Sequence, residues 1–538
     1  MSLLLRNIQI PVENGLSDSV MKKYVASTLG VSVEEIERVA IRKKSLDARK
    51  KNQIKYVLQI EAGVREPEKF IKDSNQNIVL SPTQKSANPL EGLELSGKKL
   101  NHRPVVVGSG PAGIFAALVL AEAGEAPIVV ERGEPVEKRL KTVGKFRRNS
   151  DFNSESNYCF GEGGAGTFSD GKLTCGRNHP LIRYLFERWV EFGAPEDILF
   201  ESHPHIGTDF LLVIAKRMRE HLKGMGTEFL FSTKFEGFTA SDRAKYKVEL
   251  SSGVALHTDH LVMAVGHSAR DTYHKLLGLG LQIEPKPFAV GARFEHPQEV
   301  INKIQYGQTC NLPSAEYKLA AKSSGRGIWT FCMCPGGHLM PTSAQPEHLA
   351  INGMSYHARN SGFANAAVVV NVTREDFYRG HPLDGMRFQE QIEKASFIAG
   401  GSNYYTPAQR LTDFLKGRHS KGELESTYKP GVTPARLDKV LPDFIVTALQ
   451  GGLTEYNKKM HGYISDRAIV AGVESKTSSP IVMPRDKSLQ STSHPGFFPC
   501  GEGAGFAGGI VSASLDGVKV GRAVLENALA ERLVSRVH

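Results

Sequence analysis

The residues with the plainest chemistry in this 538-residue chain are Val105-Val106-Val107-Gly108-Ser109-Gly110-Pro111-Ala112-Gly113. A short apolar strand runs into Gly-x-Gly-x-x-Gly, and an apolar helical segment follows from Ile114. Gly108 permits a tight turn, Gly110 lets the backbone approach a pyrophosphate, and Gly113 lets helix and strand pack closely. Ser109, Pro111 and Ala112 complete a turn whose free N–H groups and helix dipole favour phosphate charge. Glu131, followed by Arg132, ends a second strand-like run 18 residues past Gly113. That is near the ~20 expected of an acid that binds ribose hydroxyls. These are the signs of a dinucleotide site. The competing reading, a Gly-rich turn with an unrelated acid nearby, needs strand, spacing and acid to agree by accident.

Three further glycine runs bear on which dinucleotide. Residues 160–172 hold four glycines within 161–166 and continue through Thr167, Ser169, Asp170, Gly171 and Lys172. Such a loop, with Gly163, Gly164, Ala165 and Gly166 at its centre, can press its backbone onto a bulky ligand. Residues 260–268 carry Ala264-Val265-Gly266-His267. Residues 497–510 carry Gly501-Glu502 and Gly508-Gly509-Ile510, with a helix expected over 511–523. Together the four runs resemble the FAD domain of the glutathione-reductase-type flavoprotein superfamily. More closely, residues 161–173, 287–297, 331–338 and 500–517 resemble the bacterial family of uncharacterised FAD-dependent dehydrogenases, over essentially the whole chain. The resemblance implies that Ala264-Val265-Gly266 passes the cofactor and that His267 contacts it; Phe235 is counted with these contacts. It places Gly501-Glu502 where the superfamily has Gly-Asp. The Glu is one methylene longer, so its contact runs through water or is lost. It also implies Gly508, Gly509 and Ile510 beside the isoalloxazine, where a helix N-terminus would stabilise the anion of a reduced flavin. The late run also reads as a Gly-rich helix cap without a ligand.

No second Gly-x-Gly-x-x-Gly follows a strand, which argues against a dedicated nicotinamide domain and leaves NAD(P)H as a transient electron donor. The expected plan is an inserted domain covering the flavin, as in the fumarate-reductase-like and geranylgeranyl-reductase-like branches. On that side Arg293 can clamp a carboxylate and His296 can exchange a proton near pH 7. The opposing reading is a solvated strand end. Phe331-Cys332-Met333-Cys334-Pro335-Gly336-Gly337-His338 has three readings: a redox thiol pair, a metal site with His338, or buried thiols before a turn. The spacing is C-x-C, which is neither the redox C-x-x-C nor a paired zinc pattern, so no metal is assigned. As a hypothesis, Cys332 and Cys334 sit near the flavin.

The elements that must hold these residues follow from the pattern. Residues 1–95 read as a small α+β domain: a strand at 3–10, a helix at 17–29 begun by Ser17 and ended at Gly30, and strands at 35–42 and 53–61 joined by a basic connection. Residues 88–101 read as a linker. Residues 102–285 and 481–538 read as one discontinuous Rossmann-like FAD-binding domain, and 286–480 as an inserted mixed α+β substrate domain. The overall class is α/β. The apolar fraction of 40% and charged fraction of 23% exclude a wholly disordered chain. The six cysteines, Cys159, Cys175, Cys310, Cys332, Cys334 and Cys500, read as reduced thiols of a cytoplasmic protein. No stretch reads as a secretory signal or a membrane span.

Of the net charge of +10, six units lie in residues 36–55. A basic loop there can grip RNA, yet no RNP-like aromatic pair or Gly-x-x-Gly clamp accompanies it. The alternative is a solvated or docked hairpin. The sequence is read as an FAD-dependent oxidoreductase acting on an unidentified small organic molecule. A flavin-dependent RNA-modifying enzyme and a non-catalytic flavin sensor are the alternatives.

Overall fold

The computed structural model describes residues 2–71, 76–82, 86–94, 99–176, 178–307 and 312–534. Cys310 lies outside the described residues. Val105–Val107 is buried at all three positions and pairs in parallel with Ile128–Val130 on one side and Leu261–Met263 on the other. Glu228–Leu230 and Phe497–Phe498–Pro499 complete a five-stranded parallel sheet. Both faces are covered, which is why its central strands are unbroken apolar runs rather than alternating ones. On one face lies the Pro111–Glu122 helix, buried continuously from Ala112 to Ala121. The Ile510–Val534 helix packs against it. A Cβ at Gly517 would lie 2.1 Å from the Ala112 carbonyl oxygen, so glycine sets how closely the two helices approach. The other face carries the antiparallel strands Phe235–Thr239, Tyr246–Leu250 and Ala255–Thr258 and the Arg270–Gly278 helix.

Between the early strands and Phe497–Pro499 the chain builds a seven-stranded sheet. Its spatial order is Ala320–Ser323, Arg326–Cys334, Phe363–Val372, Phe288–Pro297, Ile469–Glu474, Thr406–Arg410, Val432–Pro434. Phe288–Pro297 pairs along its whole length with Phe363–Val372 and is buried at all ten positions. The Asp443–Lys459 helix closes a second apolar core on this sheet.

The N-terminal residues form a four-stranded antiparallel sheet with the Asp18–Leu29 helix against it. The Ser17 hydroxyl accepts from the Val20 amide and Gly30 ends the helix in the left-handed region. The strand expected at 35–42 runs on to Asp47, and Ile78–Leu80 adds an edge strand that the pattern did not show. The extension has a tertiary cause. The Lys44 amide donates to the Phe200 carbonyl and the Ser202 amide donates to that of Lys44, each at 2.8 Å. Lys44 Nζ meets Glu201 at 2.6 Å. Val12, Leu46, Ala48 and Ile54 pack into the core of the seven-stranded sheet. Much of the basic stretch is therefore paired: Arg42 with Glu61, Arg49 with Asp47, and Lys55 with Gln9. Among the described residues, no helix is long and apolar enough to cross a membrane.

Candidate functional site

The Gly-x-Gly-x-x-Gly turn sits at the carboxyl end of Val105–Val107, and its glycines do different work. Gly108 has φ +105°, and a Cβ on it would lie 2.3 Å from the Ala264 carbonyl oxygen. A Cβ on Gly113 would lie 1.9 Å from the Gly108 oxygen. Both are packing glycines. A Cβ on Gly110 would meet nothing nearer than the Gly164 Cα at 3.7 Å. Gly110 caps the Pro111–Glu122 helix without a side-chain hydrogen bond. This helix N-terminus opens into a cavity of about 780 Å³ lined by Gly108, Gly110, Pro111 and Ala112.

Glu131 also lines the cavity and is almost fully buried. Its Oε2 accepts from the Ser109 amide at 3.0 Å and hydroxyl at 2.8 Å. Its Oε1 accepts from the amides of Gly133 at 2.9 Å and Gly161 at 3.0 Å. The roughly four lone-pair sites of a carboxylate are thus filled. A ribose hydroxyl would enter by displacing the Ser109 hydroxyl, the one donor of the four that rotates freely. Arg132 lines the cavity with its guanidinium 4.2 Å from the Phe160 ring centre, held by Glu155 and Asp271.

The second glycine loop is shaped around a side chain the sequence did not single out. Arg139, from the Val136–Asn149 helix, is fully buried. It donates to the carbonyls of Asn157, Tyr158, Gly161, Glu162 and Gly164 at 2.6–3.2 Å. Burial brings its pKa down to about 10, against the pull of Glu131, so it stays charged at neutral pH. Glu162 turns away from the cavity to Arg219 at 2.7 Å, and burial pushes its pKa up to about 7.

Gly164, Ala165, Gly166, Ser169, Gly171 and Lys172 reach the cavity wall, as does Phe235. Ser109, Gly113, Gly163, Thr167, Asp170 and Gly501, expected as cofactor contacts, do not. Ser109 serves Glu131 and Gly113 packs on Gly108. A Cβ on Gly163 would collide with Thr167 Oγ1, itself bonded to the Glu162 carbonyl. Asp170 is buried in a pair with Arg359 at 2.6 Å. The Gly501 amide donates to Asp516, which Arg485 holds in a two-point pair.

Ala264, Val265, Gly266 and His267 form the next stretch of wall, with Glu502 facing them. His267 Nδ1 lies 3.2 Å from Glu502 Oε1, and its buried Nε2 has no protein partner. Glu502 thus stands within ion-pair distance of a histidine on the cavity wall. Gly508, Gly509 and Ile510 bring the N-terminus of the Ile510–Val534 helix to the same cavity.

The opposite wall belongs to the seven-stranded sheet and the segments around it. It includes Thr330, Phe331, Cys332 and Met333 of the Arg326–Cys334 strand, with Lys476 and Thr477. Lys476 Nζ donates to the Thr342 carbonyl at 2.6 Å and lies 3.9 Å from Cys159 Sγ, also on the wall. Of the two thiols proposed beside the flavin, Cys332 lines the cavity and Cys334 is buried behind it.

Arg293 and His296 are not available to a substrate. Arg293 is fully buried and spent on Glu474 at 2.8 Å, the Cys332 carbonyl and Asn365 at 2.9 Å each, and Asn352. His296 is buried with Nε2 on the Tyr463 carbonyl, and desolvation lowers its pKa to about 4. His338 stands edge-on to Tyr356, away from the wall, and burial lowers its pKa. Among the described residues no cluster of His, Cys, Asp and Glu is arranged to hold a metal. Cys159, Lys476 and Thr477 were missed because no motif marks them; only the fold brings them to the wall.

The model of the family "FAD-dependent protein, C-terminal domain-like" matches residues 287–477, and a domain of unknown function matches residues 3–63. Among solved structures, the chain is similar to the flavin-dependent halogenase CmlS, with 12% identity and TM-score 0.38 over 81% of this chain and 60% of that one. It is also similar to a geranylgeranyl bacteriochlorophyll reductase-like protein of Thermoplasma acidophilum, with 12% identity and TM-score 0.35 over 81% and 80%. Likenesses this loose transfer neither fold nor reaction. An uncharacterised protein of Clostridium beijerinckii is 42% identical over 98% of this chain and 99% of its own length. At that identity and coverage, the chain belongs to one family with the Clostridium beijerinckii protein, and its central residues match a domain of FAD-dependent proteins.

Proposed function

We propose that the chain is an FAD-dependent oxidoreductase, a dehydrogenase or reductase that exchanges a hydride or two electrons with an organic substrate. One observation carries the reading: the helix N-termini at Gly110–Ala112 and at Gly508–Ile510 both open into one cavity whose opposite wall is the seven-stranded sheet. The residues fit the cofactor. The missing Cβ of Gly110 leaves room for a pyrophosphate on the helix N-terminus. Glu131, on the cavity wall, stands where ribose hydroxyls would be bound, and Gly164–Gly166 and Ala264–Gly266 offer backbone to the ligand's length. In this reading residues 286–480 cover the cofactor held by residues 102–285 and 481–538.

Bound FAD supplies reversible two-electron chemistry. The chain supplies orientation and charge. The positive end of the Ile510–Val534 helix favours the electron-rich form of the ligand beside it. His267, with Nδ1 3.2 Å from Glu502, has a buried Nε2 without a protein partner that a ligand group in the cavity could meet. Lys476 places an ammonium on the substrate side of the cavity. NAD(P)H is proposed as a transient electron source at the open cavity. Anaerobic mixing tests this: NADH or NADPH should bleach the flavin absorbance, and a spectrum unchanged by either would remove the nicotinamide from the proposal.

A further inference from the structure

We propose that Cys332 and Cys334 form a dithiol–disulfide couple that exchanges two electrons with the flavin, with Cys332 as the cavity-side sulfur and Cys334 as its buried partner. The proposal rests on the flavin reading above. Residues two apart on a regular strand have Cα atoms about 6.7 Å apart, at the upper limit for a disulfide. Here the strand is not regular. Phe331 pairs with Ala367 and Cys334 with Asn365, so Cys332 and Met333 together oppose one residue, a bulge. Cys332 takes φ +44°, a left-handed conformation that costs a non-glycine residue energy and folds the span back on itself. The Cys334 thiol, as a result, donates to the carbonyl of Cys332 at 3.3 Å.

The surroundings hold this arrangement. Arg293 donates to the same Cys332 carbonyl and to Asn365 across the bulge, while Glu474 balances its charge. Two glycines make room for the inner sulfur. A Cβ on Gly353 would lie 3.0 Å from Cys334 Sγ, and one on Gly337 would lie 2.8 Å from its Cβ. The two thiols are also made unequal. The Cys334 side chain, helped by Arg293 and Lys172 and opposed by burial and Asp170, lowers the Cys332 thiol. The same contact and burial push Cys334 up. With Cys332 on the cavity wall and Cys334 buried behind it, the pair has the division of labour of an exchange sulfur and a resolving one. Cys500 is buried with its pKa raised and Cys159 lies beside a lysine; among the described residues neither is bonded to a second thiol.

The step balances. The Cys332 thiolate and the Cys334 thiol form an S–S bond; two electrons and the Cys334 proton pass to oxidised FAD, giving its reduced anion. In reverse, the reduced anion cleaves the S–S bond, leaving Cys332 as thiolate and Cys334 as thiol.

Anaerobic titration of the holoprotein with dithionite tests the couple. A flavin and a disulfide each take two electrons, so four electron equivalents per flavin are expected. Cys332→Ser and Cys334→Ala, checked for unchanged flavin content, should each take two. Peptide mass mapping of the air-oxidised protein should show the 332–334 segment two hydrogens lighter and closed to iodoacetamide until reduced. Two electrons per flavin in the wild type, with both thiols alkylated in the air-oxidised protein, would overturn the couple. A chain that takes up no flavin overturns the underlying reading instead, and flavin content measured on the same sample separates the two failures. Cys332→Ser, on the cavity wall, keeps the test informative if Cys334→Ala does not fold.

Discussion

Gly110 and Gly113 stand three residues apart in one motif, yet they should fail differently. A methyl at Gly110 meets no protein atom within 3.7 Å but fills the space above a helix N-terminus. Gly110→Ala should melt within about 1 °C of wild type and bind FAD at least ~10-fold more weakly, by flavin fluorescence titration. Gly113→Ala drives a Cβ into the Gly108 oxygen and should lower the melting temperature itself. Equal behaviour of the two variants would contradict the assignment. Arg139→Met should leave five loop carbonyls without their donor. A loss of roughly 3–5 kcal/mol in urea denaturation is expected, with loss of flavin. Gly108, Gly110 and Glu131 were legible in the sequence because their partners lie within one strand–turn–helix unit. Arg139 was not, since its helix reads as an ordinary polar one. Arg293 was misread as a charged strand end because its counter-charge, Glu474, lies 181 residues away.

The Phe288–Pro297 strand shows the same effect for an element. Its three charged or titratable residues, Arg293, Glu295 and His296, look like a solvent-facing end, but strands on both sides bury every position. That burial has a pH signature. Desolvation lowers His296 from the ordinary 6.5 to about 4, so the unfolded chain takes up its proton first. From this group, stability falls as pH drops from about 6.5 to 4. Glu295 has the opposite sign: burial, partly offset by Ser426 and Thr427, raises it from 4.5 to about 7. Its contribution is present below 4.5 and is lost as pH rises to about 7. The two oppose each other between about 4.5 and 6.5. Glu295→Gln removes one, so its unfolding free energy should climb with pH in that window by up to ~1.4 kcal/mol per unit more steeply than wild type. Superimposable pH profiles from denaturant titrations would contradict this. The helix begun by Ser17 and ended at Gly30 was readable from local pattern. The reach of the second strand to Asp47 was not, because segment 200–202, far along the chain, sets it.

At the scale of the whole molecule, the basic N-terminal unit is a docked part of the protein. Ser202→Pro would remove the amide that binds Lys44 without altering the N-terminal sheet. Tryptic cleavage after Lys43 and Lys44 should then be several-fold faster than in the wild type, followed by peptide mapping; equal rates would mean the docking contributes little. With Arg42, Lys44, Arg49 and Lys55 engaged by protein partners, no tRNA complex is expected to survive physiological salt in a gel shift. The two-part origin of the parallel sheet was visible in the placement of the glycine runs at both ends of the chain. How the seven-stranded sheet closes the cavity was not, since no short motif encodes a contact between Cys159 and Lys476. The central claim is that this cavity holds FAD, and the most direct measurement is the flavin released by heating the purified chain, identified by chromatography and quantified against protein. The account predicts close to one FAD per chain; a colourless protein that takes up no flavin on reconstitution would contradict it.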